Sequence, residues 1–253
     1  MHYLGIDIGS SFTKFVVIDS EKKVVFNELV KTLTRTKDEA QKVRENILKE
    51  FEISKTAVTG YGRLHQKNAD IVKTELYCAS VAVSELHPID KTIIDIGGED
   101  LKVIKSASSG KVIDFYMNTK CAAGTGTFIT EIAERAEIKT NEMSSLAKTS
   151  AYNKELNSFC TVFAKTEIMQ WIFEEVPVED IAKGIYISVV NRLKKIPMDK
   201  TLPFFLIGGV AEFHPYIKNV MEEIFSVKVT IPEKPQFVNA FGAALFALDS
   251  NTK

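Results

Sequence analysis

Cysteine is scarce in this chain, with three residues in 253. A small, odd number argues against a disulfide framework and for a reducing compartment. An excess of charge of either sign is also missing. Thirty-two Lys and Arg stand against 33 Asp and Glu, a formal net charge of -1. Neither nucleic acid nor an anionic membrane is therefore expected as an electrostatic partner. No stretch approaches the roughly 18 apolar residues of a membrane helix. The N-terminal "MHYLGIDIGSS" lacks the basic region and long apolar run of a signal peptide, so a cytoplasmic location is expected. Walker A and complete G-x-G-x-x-G sequences are absent too, which closes the usual P-loop and Rossmann routes to nucleotide binding.

What the chain does have is ordinary globular composition, 45% hydrophobic and 26% charged, and enough length for one large domain or two of ordinary size. It also has an internal repeat. "YLGIDIGSSFTKFVVIDSEKKVVFNELV" starts at residue 3 and "KTIIDIGGEDLKVIKSASSGKVIDFYMN" at residue 91. Asp7, Gly9, Lys14, Lys23 and Val24 fall on Asp95, Gly97, Lys102, Lys111 and Val112, always 88 residues apart (95 − 7, 102 − 14, 112 − 24). Each copy reads as a strand, an Asp-Ile-Gly turn, a second strand, a polar turn and a third strand.

Both copies continue alike. Residues 38–51 carry apolar side chains at helical spacing (Ala40, Val43, Ile47, Leu48, Phe51), then "TAVTGYGR" reads as a strand ending in glycine. In the second half a longer helical region leads to "LPFFLIGGVAEF", another strand ending in glycines, and "FVNAFGAALFAL" closes the chain as a helix. The expected class is α/β with two similar lobes. Residues 1–90 together with the helix at 237–250 should form one lobe, and residues 91–236 the other.

A tight turn bearing Gly, Ser and Thr offers backbone N–H groups and hydroxyls to an anion. "DIGSSFTK" supplies Gly9, Ser10, Ser11 and Thr13, with Lys14 either as a phosphate contact or as a strand-edge surface residue. "DIGGED" supplies Gly97 and Gly98, where the missing side chains admit close backbone approach. Asp7 and Asp95 could hold Mg²⁺ through water. Gly208, Gly209 and Val210 make a third glycine edge, suited to the flat face of a nucleoside.

Together and in this order, these turns resemble those of the acetate and sugar kinase, Hsp70 and actin superfamily. The resemblance spans nearly the whole chain. It implies two ribonuclease-H-like lobes with ATP or ADP in the cleft between them, and a closing helix that packs back between the lobes.

The cysteines narrow the branch. After Cys121, the residues Phe128, Ile129, Ile132, Ala133 and Ala136 follow helical spacing; after Cys160, Val162, Phe163, Ile168, Met169, Ile172 and Phe173 do the same. Both thiols are thus expected at or near a helix start, where the dipole favours a thiolate, although position alone leaves open two small buried hydrophobes. Cys78, in "ELYCASVAVSEL", reads as core packing. An iron–sulfur cluster usually needs four thiolates, and a twofold dimer would supply them from two copies of Cys121 and Cys160.

"MNTKCAAGTGTF" and "CTVFAKTE" closely resemble the two cysteine motifs of the activators of 2-hydroxyacyl-CoA dehydratases, a family that includes the ATPase subunits of benzoyl-CoA reductase. "GYGR", "VPVEDIAKGI" and "GGVAEFHPYI" fit the same family. The resemblance implies a homodimer with one bridging [4Fe–4S] cluster on Cys121 and Cys160. It further implies an oxygen-sensitive ATPase, loaded by ferredoxin or flavodoxin, that passes single electrons to a partner iron–sulfur enzyme. That partner is left open among a 2-hydroxyacyl-CoA dehydratase, a benzoyl-CoA reductase core and a double-cubane cluster protein.

Three positions depart from the family's pattern. Glu99 stands where a glutamine usually orients the attacking water, Thr119 where an aspartate precedes the first cysteine, and "VFAKTE" in place of Ala-Glu-Ser-Glu brings in Lys165. Two other readings stay open: a small-molecule kinase of the same fold, and a nucleotide-dependent interaction protein without redox chemistry. The four histidines (His2, His65, His87, His214) are expected at the surface or satisfied in the core, and Trp171 in packing.

Overall fold

The computed structural model describes residues 1–32, 38–66, 68–118, 121–157 and 160–250. Thr119 lies outside them. The chain divides into two compact units. One comprises residues 1–90, 106–114 and 236–253, the other residues 91–105 and 115–235.

The first unit is built on strands β1 (His2–Ile8), β2 (Phe12–Asp19), β3 (Val24–Lys31), β4 (Ile53–Thr59) and β5 (Ile71–Val72), in the order β3-β2-β1-β4-β5. The first three make an antiparallel meander, and β4 and β5 add in parallel. Helix α1 (Asp38–Glu50) crosses from β3 to β4. Its Val43 and Ile47 join Leu4, Ile6, Phe15 and Val58 in a core, while Leu48 of the expected stripe is exposed.

Helix α2 (Glu75–Leu86) and the last helix, here α9 (Val238–Asp249), complete this unit. Their seam explains two glycines. A side chain at Gly5 of β1 would meet the backbone of Ala240 and Ala244, and one at Gly242 would meet the backbone of Cys78. Helix α9 is apolar all round, as a helix covered on opposite faces must be.

The second sheet repeats the plan. Strands β6 (Lys91–Ile96), β7 (Leu101–Ser106), β8 (Val112–Asn118), β9 (Phe204–Ile207) and β10 (Val229–Thr230) lie in the order β10-β9-β6-β7-β8. Read from β8, this is the order of the first sheet, and β9 and β10 again add in parallel. Between β8 and β9 run α3 (Gly126–Arg135), α4 (Met143–Thr149), α5 (Thr161–Phe173) and α6 (Val178–Leu193); α7 (Gly209–Phe213) and α8 (Ile217–Phe225) follow β9.

Phe128, Ile129, Ile132 and Ala133 of α3 are fully buried, as their spacing predicts. Trp171 is buried edge-on to Tyr152. His214 is a satisfied core residue, its Nδ1 2.8 Å from the Tyr186 hydroxyl, and burial pushes its pKa down to about 4.

Candidate functional site

The duplicated hairpins carry the candidate phosphate residues, one set in each unit. In the first, Asp7 and Lys14 are cross-strand partners on β1 and β2, so their side chains share a face. The Lys14 ammonium lies 3.1 Å from Asp7 Oδ2, and both side chains are largely buried. Asp7 Oδ1 is buried with no hydrogen-bond partner among the described residues. A carboxylate oxygen left this way is costly unless water or a cation meets it.

The turn between the strands is tight. Gly9 N–H donates to Phe12 O, and a side chain at Gly9 would press on that oxygen and on Lys14 Nζ. Ser10 is half-buried and Ser11 exposed. Thr13 is turned inward. Its hydroxyl is 3.0 Å from that of Thr32, which donates to Gly9 O, so Thr13 braces the turn from behind.

The second hairpin holds Asp95, Gly97, Gly98 and Glu99. Gly97 N–H donates to Asp100 O, and a side chain at Gly97 would strike the Asp100 carboxylate. Lys102 repeats Lys14. It is 1% exposed, with Nζ 2.6 Å from Asp100 and 3.8 Å from Asp95. The repeat aligns Lys102 with Lys14, so its role as the second hairpin's internal cation was readable from the constant offset. Glu99 is exposed at the turn. Gly208 is brought to the same place. Its φ of +94° suits glycine, and a side chain there would press on Asp95 Oδ1 and Ile96 O. Gly209 faces open space, while Val210 is buried.

The link to the cysteines runs through the back of this second turn. The first N–H groups of an α-helix lack partners within the helix. In α3 they find them on the phosphate-turn candidates: Gly126 N–H donates to Gly97 O at 2.9 Å and Thr127 N–H to Gly98 O at 2.8 Å. The Thr127 hydroxyl adds a third bond to Gly98 O at 2.7 Å. Sequence reasoning missed both donors, because nothing in their spacing reveals a contact made by tertiary folding.

The same bonds correct one expectation. Cys121 lies five residues ahead of Gly126 (126 − 121), and the amides that open α3 are engaged by Gly97 and Gly98. Cys121 therefore stands ahead of the first turn of α3 rather than within it. Cys160 does stand where predicted, as the N-cap residue of α5. Both cysteines are exposed. Cys78 is buried, and burial pushes its thiol up to about 12, which removes it from thiolate chemistry at neutral pH.

Helix α5 forms over the apolar spacing read after Cys160, and only part of that spacing is buried. Of its apolar residues only Ala164, Ile168 and Trp171 turn inward. Val162, Phe163 and Phe173 are 69%, 67% and 79% exposed. Residues at i, i+4 and i+7 take the buried stripe, and Val162, Phe163 and Phe173 fall off it. Lys165 reaches across to Glu131 of α3 at 2.6 Å, so the charge that departs from the family pattern sits in a bridge between the two helices.

The sequence from residue 4 to 247 matches the model of the BadF/BadG/BcrA/BcrD ATPase family. The chain belongs to that family. The solved activator of 2-hydroxyisocaproyl-CoA dehydratase from Clostridium difficile, with bound ADPNP, is 34% identical, with a TM-score of 0.90 over 100% of this chain and 96% of that one. Component A of the Acidaminococcus fermentans (R)-2-hydroxyglutaryl-CoA dehydratase is 33% identical, with a TM-score of 0.92 over 100% of both chains. A ROK family glucokinase from Streptomyces griseus, in complex with glucose and AMPPNP, is 12% identical with a TM-score of 0.61, covering 98% of this chain and all of that one; it shares the fold alone. The two lobes are thus of the actin, Hsp70 and sugar-kinase type, as the sequence predicts.

Among the described residues no group of three or more His, Cys, Asp or Glu side chains could hold a metal ion. One chain therefore offers two exposed thiols, half of a four-thiolate set, and these fit a cluster only if a second copy supplies the rest. Among the described residues no helix is long and apolar enough to cross a membrane.

Proposed function

We propose that this protein is an ATP-dependent electron-transfer activator, a homodimer with one [4Fe–4S] cluster on Cys121 and Cys160 of both subunits. The observation that carries the reading is the direct bonding of the Gly97–Gly98 turn to the helix that follows Cys121. In this reading the bonding joins a nucleotide-sensing turn to the helix that follows the thiol loop. The solved activator with bound ADPNP supports the nucleotide half, and the exposed apolar residues of α5 beside Cys160 support a covering second subunit.

In this reading Asp7 and Asp95 hold Mg²⁺ through water, and the orphaned Asp7 Oδ1 suits that role. Gly9, Ser10, Ser11, Gly97 and Gly98 cradle the phosphates, and Lys14 offsets their charge. Thr13 positions the first turn. Gly208 and Gly209 lie beside the adenosine, packed by Val210. Glu99 orients or activates the attacking water.

When bound, the cluster would supply a one-electron store at low potential. The chain's own part is to give two discrete arrangements at the Gly97–Gly98 turn, according to the γ-phosphate, and to pass the difference along α3. Electrons would enter from ferredoxin or flavodoxin and leave to a partner iron–sulfur dehydratase or reductase; that the similar proteins are named as dehydratase activators supports a partner enzyme of this kind.

The test joins the anaerobic protein to a 2-hydroxyacyl-CoA dehydratase with reduced ferredoxin. Dehydratase activity should appear only with Mg·ATP, and far less with ADP. ATP-dependent phosphorylation of a sugar or carboxylate, with no activation of the dehydratase, would overturn the reading in favour of a kinase.

A further inference from the structure

Arg192, near the end of α6, stacks its guanidinium on the ring of Phe128, 4.2 Å from the centroid. Phe128 belongs to the first turn of α3 and is fully buried. The stem of the arginine runs beneath the Cys121 loop. A side chain at Gly124 would stand 3.3 Å from Arg192 Cδ, and Gly124 itself takes a φ of +87°. The loop thus passes close over the arginine, and a side chain at Gly124 would need Arg192 Cδ to give way by a few tenths of an ångström. Burial lowers the guanidinium's pKa, while Cys121, Cys160 and Glu155 act on it in the opposite direction. This one half-buried cation therefore feels both thiols, though they lie 39 residues apart in sequence (160 − 121).

We propose that Arg192 is the positioning residue of the cysteine site, a fixed positive charge that holds the Cys121 loop in place and favours the more negative state of a cluster bound there. The inference rests on the proposed function above and deepens it. A four-thiolate cluster becomes one charge more negative on reduction. A cation fixed beside its ligands, and poorly screened because it is half-buried, favours that state. An arginine suits the role, since it stays charged when desolvated and stacks on an aromatic face.

The experiment separates charge from packing by comparing wild type, Arg192→Lys and Arg192→Met. All are reconstituted anaerobically with iron and sulfide and held with ADP. Folding is checked by circular dichroism, iron is counted, and the midpoint potential is read by electron paramagnetic resonance during redox titration. Arg192→Met should lower the reduced-to-oxidised ratio at fixed potential on the order of tenfold, a downward shift of about 59 mV for one electron. Arg192→Lys should restore much of it.

Equal potentials in all three proteins would overturn the proposal, as would a potential that follows packing, with Met like wild type and Lys shifted. Loss of the fold in both variants would make Arg192 a structural residue and would overturn it too. Failure of wild type itself to bind iron would instead sink the cluster reading.

Discussion

Replacing Thr127 by valine changes one atom of contact and keeps the shape of the side chain. It removes the hydroxyl bond to Gly98 O and leaves the backbone bond from Thr127 N–H to the same oxygen. Gly98 O thus keeps one partner, so the cost stays near the ordinary value for a neutral hydrogen bond, about 1 kcal/mol. If that bond is made fully in one nucleotide state and weakened in the other, the whole amount comes out of the coupling between nucleotide and thiol loop. About 1 kcal/mol is roughly a fivefold change in a ratio. Couplings of this kind run to about 1–3 kcal/mol, so the loss would be a large share.

The assay is the rate at which Cys121 is alkylated in the cluster-free Cys160→Ser protein, with ADP and with a non-hydrolysable ATP analogue. Thr127→Val should shrink the ratio of the two rates about fivefold and lower unfolding free energy in urea by about 1 kcal/mol. An unchanged ratio in a protein destabilised by that amount would refute the coupling route through α3.

Asp7→Ala should nearly abolish Mg·ATP turnover in a steady-state phosphate-release assay, because it strips both the orphaned oxygen and the partner of Lys14. Thiol counting on the cluster-free protein should find about two reactive cysteines in the native state and the third only after denaturation, since Cys78 is buried with its thiol raised to about 12. Gly242→Val should destabilise by several kcal/mol in urea unfolding, because the new side chain meets the Cys78 backbone rather than a movable side chain. His214 gives a pH signature. Its folded pKa of about 4 lies below the ordinary 6.5, so the unfolded state binds the extra proton. Its contribution is fully present above pH 6.5 and is lost as pH falls towards 4, by about 3 kcal/mol. His214→Gln should flatten urea-unfolding stability over that window.

Much of the fold was legible because the chain states it twice. The constant offset of 88 residues placed three strands and a glycine turn in each half, and the two sheets share one strand order. The Asp7–Lys14 ion pair was not read from it: the hairpin register sets the two opposite each other, but Lys14 was expected as a phosphate contact or a strand-edge surface residue. The α3 stripe was legible for the usual reason, that a one-sided core makes helical spacing visible. Helix α5 stands where its spacing placed it, but that spacing did not say which of its apolar residues this chain buries. Apolar spacing does not say which subunit buries a residue, and Phe163 and Phe173 look like core in the sequence while standing exposed on this chain. The hydrogen bonds of Gly126 and Thr127 and the stacking of Arg192 on Phe128 were invisible, because each joins segments that only tertiary folding brings together.

The central claim is a cluster shared by two subunits. It is tested most directly by iron and acid-labile sulfide per dimer after strictly anaerobic purification, in wild type and in Cys121→Ser. The account predicts about four irons and four sulfides per dimer, lost in the variant. A wild-type monomer without iron, even after anaerobic reconstitution, would contradict it.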